Sequence, residues 1–182
     1  MNKKPGNRYG SVSAGLILSG VLGLASNSYG AQEAVALDRF ELKIVEYTAG
    51  GNEILAGNFS GAIGKIQSSL SLDSKYEKNT NLCAAYTAQK AFANAEAHCQ
   101  TALRLSRTAQ TTQMTNSRYM STRSRQAMAL NNLGVWHALQ GNTEEASEYF
   151  EAANNKSKRI STTTERNINA LEQRMSSKVL AA

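Results

Sequence analysis

Cys83 and Cys99 are the only cysteines in the 182-residue sequence, and His98 and His137 are the only histidines. These four side chains bound the chemistry open to the chain. The cysteines are not spaced as Cys-x-x-Cys, and no cation-rich helix start sits beside either, so a redox-active pair is not expected. An even count suits a structural disulfide in an oxidising compartment. The competing reading is two buried thiols at small sites, which cysteine fills well. The two imidazoles have no cluster of acids around them and do not make a metal site. His137 reads as a packed interhelical residue and His98 as an exposed one. Serine and threonine are plentiful, but no base is placed to activate one. There is no phosphate loop, no Gly-x-Ser-x-Gly and no His-Glu-x-x-His. The expectation is a protein without catalytic residues, metal or cofactor, hence not an enzyme.

The first thirty residues have the layout of a secretory signal. Lys3, Lys4 and Arg8 give a basic start, and an apolar stretch runs from Val12 to Ala25. Small Ser28 and Gly30 suit cleavage after Gly30, with Ala31 as a near alternative. The apolar stretch is shorter than the roughly 20 residues a membrane span needs. No cysteine stands near the cleavage site, so a lipid anchor is not expected. Export to the periplasm or beyond follows, with no membrane span once the signal is removed. Cleavage removes three cations and no acid, so the formal charge drops from +6 to +3. The basic balance is then modest, and it does not argue for nucleic acid.

The rest must fold to place whatever function remains. Hydrophobic residues make up 41% and Pro5 is the only proline, which favours helices and allows a core. Residues 31–48 form a leader that is open to two readings. Phe40, Leu42 and Ile44 alternate with Glu41 and Lys43 as in a strand, yet Leu37, Phe40, Ile44 and Tyr47 fit a helix. From Asn52 onward the stripes are helical. They include Phe59, Ile63, Ile66 and Leu70, then Ala95, Cys99 and Ala102, then Leu130, Leu133 and Trp136, then Ala146, Phe150 and Ala153. Gly57-Asn58, Asp73-Ser74 and Gly141-Asn142 separate them as turns. Helices of this length on short loops pack as antiparallel hairpins. A last helix over 162–180 carries Ile168, Leu171, Met175 and Val179 on one stripe, as a cap on the array.

The stripes repeat. Leu82, Cys83, Tyr86, Ala95, Cys99 and Ala102 align with Leu133, Gly134, His137, Ala146, Phe150 and Ala153 at a constant offset of 51. Gly57, Asn58, Ala62, Ile66 and Ser69 align with Lys90, Ala91, Ala95, Cys99 and Ala102 at an offset of 33. A unit of about 34 residues explains both, with about 17 extra residues interrupting the second gap near 105–125. If the middle hairpin turns near Lys90-Ala91, Cys83 and Cys99 fall almost opposite each other. A bridge there would contribute about 3 kcal/mol.

Leu133-Gly134, His137, Gly141, Ala146, Phe150 and Ala153 resemble the tetratricopeptide-repeat signature. Small Gly134, Ala146 and Ala153 let paired helices approach, while Leu133 and Phe150 fill the space beside them. His137 and Leu130 replace the usual aromatics, and the usual closing proline is absent. The resemblance covers roughly residues 49–156. The expected fold is all-α: antiparallel helix hairpins stacked as a short solenoid over 49–161, capped by a helix and tail over 162–182.

The resemblance also implies a site. First helices of each pair line a concave ligand-binding side, which here points to Thr80, Ala84, Thr87, Asn131, Val135 and Ala138. Thr80 and Ala84 depart from the pattern that clamps a peptide carboxylate. A second candidate surface is basic. No acid occurs between Ala97 and Thr143, whereas Arg104, Arg107, Arg118, Arg123 and Arg125 all do. Such a face suits an acidic protein segment or an anionic envelope surface. Tyr119 is its sole aromatic, so nucleic acid is not expected. The expected function is a protein or peptide adaptor of the cell envelope, acting by binding. The alternative is a self-associating structural component of the envelope. Oligomeric state and partner identity are left open by the sequence.

Overall fold

The computed structural model describes residues 34–37, 39–70, 75–108, 120–158 and 160–180. The signal-like residues 1–30, and with them Arg118 and Tyr119, lie outside the described residues. Two short strands open the described chain, β1 (Ala34–Leu37) and β2 (Phe40–Lys43). Seven helices follow among the described residues: α1 (Gly51–Leu55), α2 (Phe59–Ser68), α3 (Lys75–Ala88), α4 (Phe92–Ser106), α5 (Thr122–Gln140), α6 (Thr143–Lys156) and α7 (Ser161–Leu180). The helices are antiparallel pairs, α1–α2, α3–α4 and α5–α6, with α7 closing the stack against α6.

The three pair turns share one backbone solution. Gly57, Lys90 and Gly141 all have positive φ, at 75°, 58° and 88°. Their separations are the 33 and 51 residues read from the side-chain pattern. Glycine takes this conformation freely and lysine does not. The polar interruption is narrower than expected, because α4 runs to Ser106 and α5 starts at Thr122. Ser121 caps α5 by accepting the Ser124 N–H at 3.1 Å, and Asn58 caps α2 through the Gly61 N–H at 3.0 Å.

Small residues set the helix spacing. Ala95, Cys99 and Ala102 of α4 are buried against Cys83, Leu130 and Leu133. A methyl at Gly134 would lie 2.5 Å from the Phe150 ring, so α5 and α6 are in contact where glycine permits it. Trp136 locks neighbouring pairs together, its Nε1–H donating to the Phe92 carbonyl at 2.9 Å. Tyr76 does the same from α3, donating to the Arg125 carbonyl at 3.0 Å.

Two of the sequence stripes end sooner than their periodicity suggests. Leu70 lies beyond the end of α2 and is fully exposed, not in the core. On α7, Leu171 is buried and Ile168 packs on the core, but Met175 is exposed. The cap therefore covers its neighbours with its first half only.

The leader resolves as a strand. β1 and β2 form an antiparallel hairpin with Leu37 opposite Phe40 and Ala34 opposite Lys43. Phe40, Leu42 and Ile44 are buried with Ala84, Ala85, Val135, Ala138 and Phe150. Helix–helix packing alone does not complete this core. The hairpin packs on α3 and α5, the first helices of their pairs, and on α7, so the helical stack carries a small two-stranded element against the face expected to be its groove.

Candidate functional site

Asparagines from three helices hold β2 and its continuation to Val45 by the main chain. Asn167 of α7 accepts the Glu41 N–H at 2.7 Å and donates to the Glu41 carbonyl at 3.0 Å. Asn132 of α5 accepts the Lys43 N–H and donates to the Lys43 carbonyl, both at 2.7 Å. Asn81 of α3 accepts the Val45 N–H at 2.8 Å and donates to the Val45 carbonyl at 3.0 Å. Asn131 adds a second donor to the Glu41 carbonyl at 2.9 Å. A carboxamide offers one acceptor and a pair of donor hydrogens, and so mimics the paired N–H and C=O of a neighbouring strand.

Residues 41, 43 and 45 direct their main-chain groups to one edge of the strand, and 40 and 42 to the other. The second edge faces β1. The asparagine amides thus act as a third strand made of side chains. Buried main-chain groups need partners, and here the helices supply them.

All six groove residues expected from the sequence are buried. Ala84, Val135 and Ala138 pack in the cluster that holds Phe40, Leu42 and Ile44. Asn131 binds main chain as its type suggested, but the main chain is the protein's own. Thr80 turns back to the Tyr76 carbonyl at 2.8 Å, and the buried Thr87 hydroxyl meets no hydrogen-bond partner. Sequence reasoning missed Asn81, Asn132 and Asn167. A signal existed: Asn81 and Asn132 are related by the same offset of 51 that aligns the other repeat positions.

Cys83 and Cys99 are joined as a disulfide between α3 and α4, with their Cα atoms 4.8 Å apart. Both lie in the core, so the bridge pins the middle hairpin from inside.

The comparisons with known proteins bear on the third pair. Residues 126–160 match the family model of the tetratricopeptide repeat. Over that stretch the chain is similar to a tetratricopeptide repeat. No curated protein and no solved structure matches the chain significantly. The tetratricopeptide repeat takes in most of α5, all of α6 and the turn that leads into α7. Asn131 and Asn132 lie within it, and so does the Gly134–Phe150 contact.

His137 also belongs to the tetratricopeptide repeat, at a position the family usually gives to an aromatic. It packs like one, 5.1 Å from the Tyr149 ring and 4.6 Å edge-on from Trp136. Its Nδ1 is buried and makes no hydrogen bond. Burial lowers its pKa below the usual histidine value, against a smaller opposing pull from the Glu145 and Glu96 carboxylates. His98 is half-buried, not exposed as its sequence position suggested. It stacks on Tyr86 at 5.5 Å and contacts the Asn79 Oδ1 at 2.9 Å. Burial lowers its pKa as well. Among the described residues no group of three His, Cys, Asp or Glu is placed to hold a metal ion.

The basic surface is smaller than the sequence suggested. Arg104, Arg107 and Arg123 are exposed, and Arg118 lies outside the described residues. Arg125 is withdrawn from it. It is buried, with its guanidinium 5.9 Å from the Tyr76 ring centre, because the start of α5 packs against α3 there. Arg104 and Arg107 line a shallow cleft of about 340 Å³ on α4 with Gln100, Thr101 and Leu103. This cleft lies outside the tetratricopeptide repeat matched on α5 and α6. Among the described helices none is long and apolar enough to cross a membrane.

Proposed function

We propose that this protein is a non-enzymatic adaptor of the cell envelope that binds an acidic segment of another protein. The tetratricopeptide repeat supports a protein–protein interaction module, since the family is typically non-enzymatic. One observation directs the binding face: the chain's own β2 already packs on the helices expected to line the groove. A partner is then left the outer surfaces. Of these, the α4 cleft combines a concavity with the exposed Arg104 and Arg107. Neither arginine has an acidic neighbour in sequence between Ala97 and Thr143. Guanidinium groups at a concave surface suit carboxylates through paired N–H donors.

The test is capture of partners from an envelope extract by the purified protein and by the R104E/R107E variant. Expected is a stoichiometric foreign protein that the variant fails to retain and that added salt releases. Retention of the same partner by the variant would place the binding face elsewhere. Turnover of a substrate by the purified protein without any partner would replace the adaptor reading with an enzyme.

Export is part of the proposal. It rests on the basic, apolar and small-residue order of residues 1–30. Mass spectrometry of the protein recovered from cells is expected to show a chain starting at Ala31. The second reading, a self-associating envelope component, is favoured by apolar side chains left exposed at the α1 end of the stack. It predicts that the extract returns only the protein itself.

A further inference from the structure

The hairpin is an arm held from a distance. Its main-chain clasps come from residues 36, 89, 90 and 126 positions away. One connector, residues 46–50, joins it to α1, and Gly50-Gly51 stands at its end. Every copy of the chain carries both the arm and the groove that fits it.

Most of the large apolar exposure among the described residues falls on the connector and the α1–α2 pair that follows it. The exposed large hydrophobics of the described chain are Tyr47 at 65%, Leu55 at 39%, Leu70 at 99% and Met175 at 47%. Tyr47 lies in the connector, Leu55 ends α1, and Leu70 follows α2. Met175 stands apart on α7. Glu46 adds a second oddity, because its Oε2 is buried and accepts no hydrogen bond. A straightened connector returns that oxygen to water.

We propose that two copies of this chain exchange the β1–β2 arm, each seating its Phe40–Val45 stretch in the groove of the other. The main-chain clasps on Glu41, Lys43 and Val45 are the same in either arrangement, and exchange gives up only contacts of the connector itself, among them those of Asn81 with Thr48 and Ala49. Five connector residues reach at most about 17 Å when extended. Exchange therefore draws the α1 ends of two copies together. Tyr47, Leu55 and Leu70 are then covered, whereas Met175 stays in water. This self-association stands apart from capture of an acidic partner on α4, and either can fail alone.

Two purified full-length variants, E41C and R166C, test the exchange. The native side chains meet at an exposed ion pair of 3.0 Å, which contributes little to folding. The variants are mixed, unfolded, refolded together at high concentration and treated with a short bis-maleimide. Expected is a covalent heterodimer in the dimer fraction from size exclusion, and none in the monomer fraction. In parallel, L55S/L70S is expected to weaken dimerisation about tenfold by light scattering, while M175S leaves it unchanged. A chain that remains monomeric at millimolar concentration overturns the proposal. So does a dimer in which E41C and R166C never join across copies, since it must form through another surface.

Discussion

The Asn132 side chain grips Lys43 by both its N–H and its carbonyl, each at 2.7 Å, although 89 residues separate the two. Removing the amide leaves two buried main-chain groups without partners. Each such group costs about 1–3 kcal/mol. We expect N132A to lose about 2–6 kcal/mol in urea unfolding on the same scale. Aspartate at this position keeps an acceptor for the N–H but turns a second acceptor, on a buried charge, toward the Lys43 carbonyl, so N132D is expected to lose at least as much as N132A. Equal stability of N132A and the parent would show that the clasp contributes nothing.

Gly134 faces the Phe150 ring, and Gly64 faces open space. Helix propensity alone favours alanine over glycine by about 1 kcal/mol at both sites. Packing reverses the sign at one of them. G64A is expected to gain about 0.5–1 kcal/mol. G134A is expected to lose about 1–3 kcal/mol through overpacking. Thermal melts of the two variants decide it, and a gain in both would mean that α5 and α6 do not meet at Gly134.

Lys90 holds a left-handed conformation where the equivalent turns have Gly57 and Gly141. Glycine removes a strain of about 1–2 kcal/mol. It adds freedom to the unfolded chain worth about 0.4–1 kcal/mol. K90G is therefore expected to be more stable by about 0.5–1 kcal/mol in chemical unfolding, the difference between these opposing effects.

The disulfide closes a loop between residues 83 and 99. Thiol labelling of the denatured, unreduced protein is expected to find neither cysteine free. Reduction, or C83S/C99S, is expected to cost about 3 kcal/mol. A melting curve that ignores reductant would leave the bridge without a stabilising role.

His98 and His137 both have folded pKa values depressed by burial. Between the folded value and the ordinary value near 6.5, the unfolded chain binds protons that the native chain does not. Stability then rises with pH. The contribution is complete above about pH 6.5 and is lost as pH falls through the folded values. Melting temperature is expected to drop on going from pH 7 to pH 5. H137F, which fills the site with a ring that cannot charge, is expected to flatten that slope. An unchanged slope in H137F would assign the effect to other groups.

The helical pairs were readable because their information is local. Small Gly134, Ala146 and Ala153 and large Leu133 and Phe150 recur at fixed spacing, and the Gly57, Lys90 and Gly141 turns keep the same register. The cysteine pair was readable for the same reason, since both residues flank one turn. The seating of the leader was not. Whether Phe40, Leu42 and Ile44 form strand or helix depends on Asn81, Asn132 and Asn167, whose amides meet the chain only after the stack exists. Arg125 was misjudged likewise. Its charge suggested solvent, but Tyr76 on another helix shields it. Leu70 and Met175 follow the apolar period of helices whose packing stops before reaching them.

The clasp on Glu41 by Asn167 spans 126 residues, and this imposes an order on assembly. The strand is synthesised well before its final anchor, which lies 126 positions further on. Contacts of such separation form slowly, since much chain must be ordered before they can close. Until then Phe40, Leu42 and Ile44 are an unshielded sticky segment of the nascent polypeptide. A chaperone that shelters this segment would speed recovery of folded protein more than one acting on any later stretch.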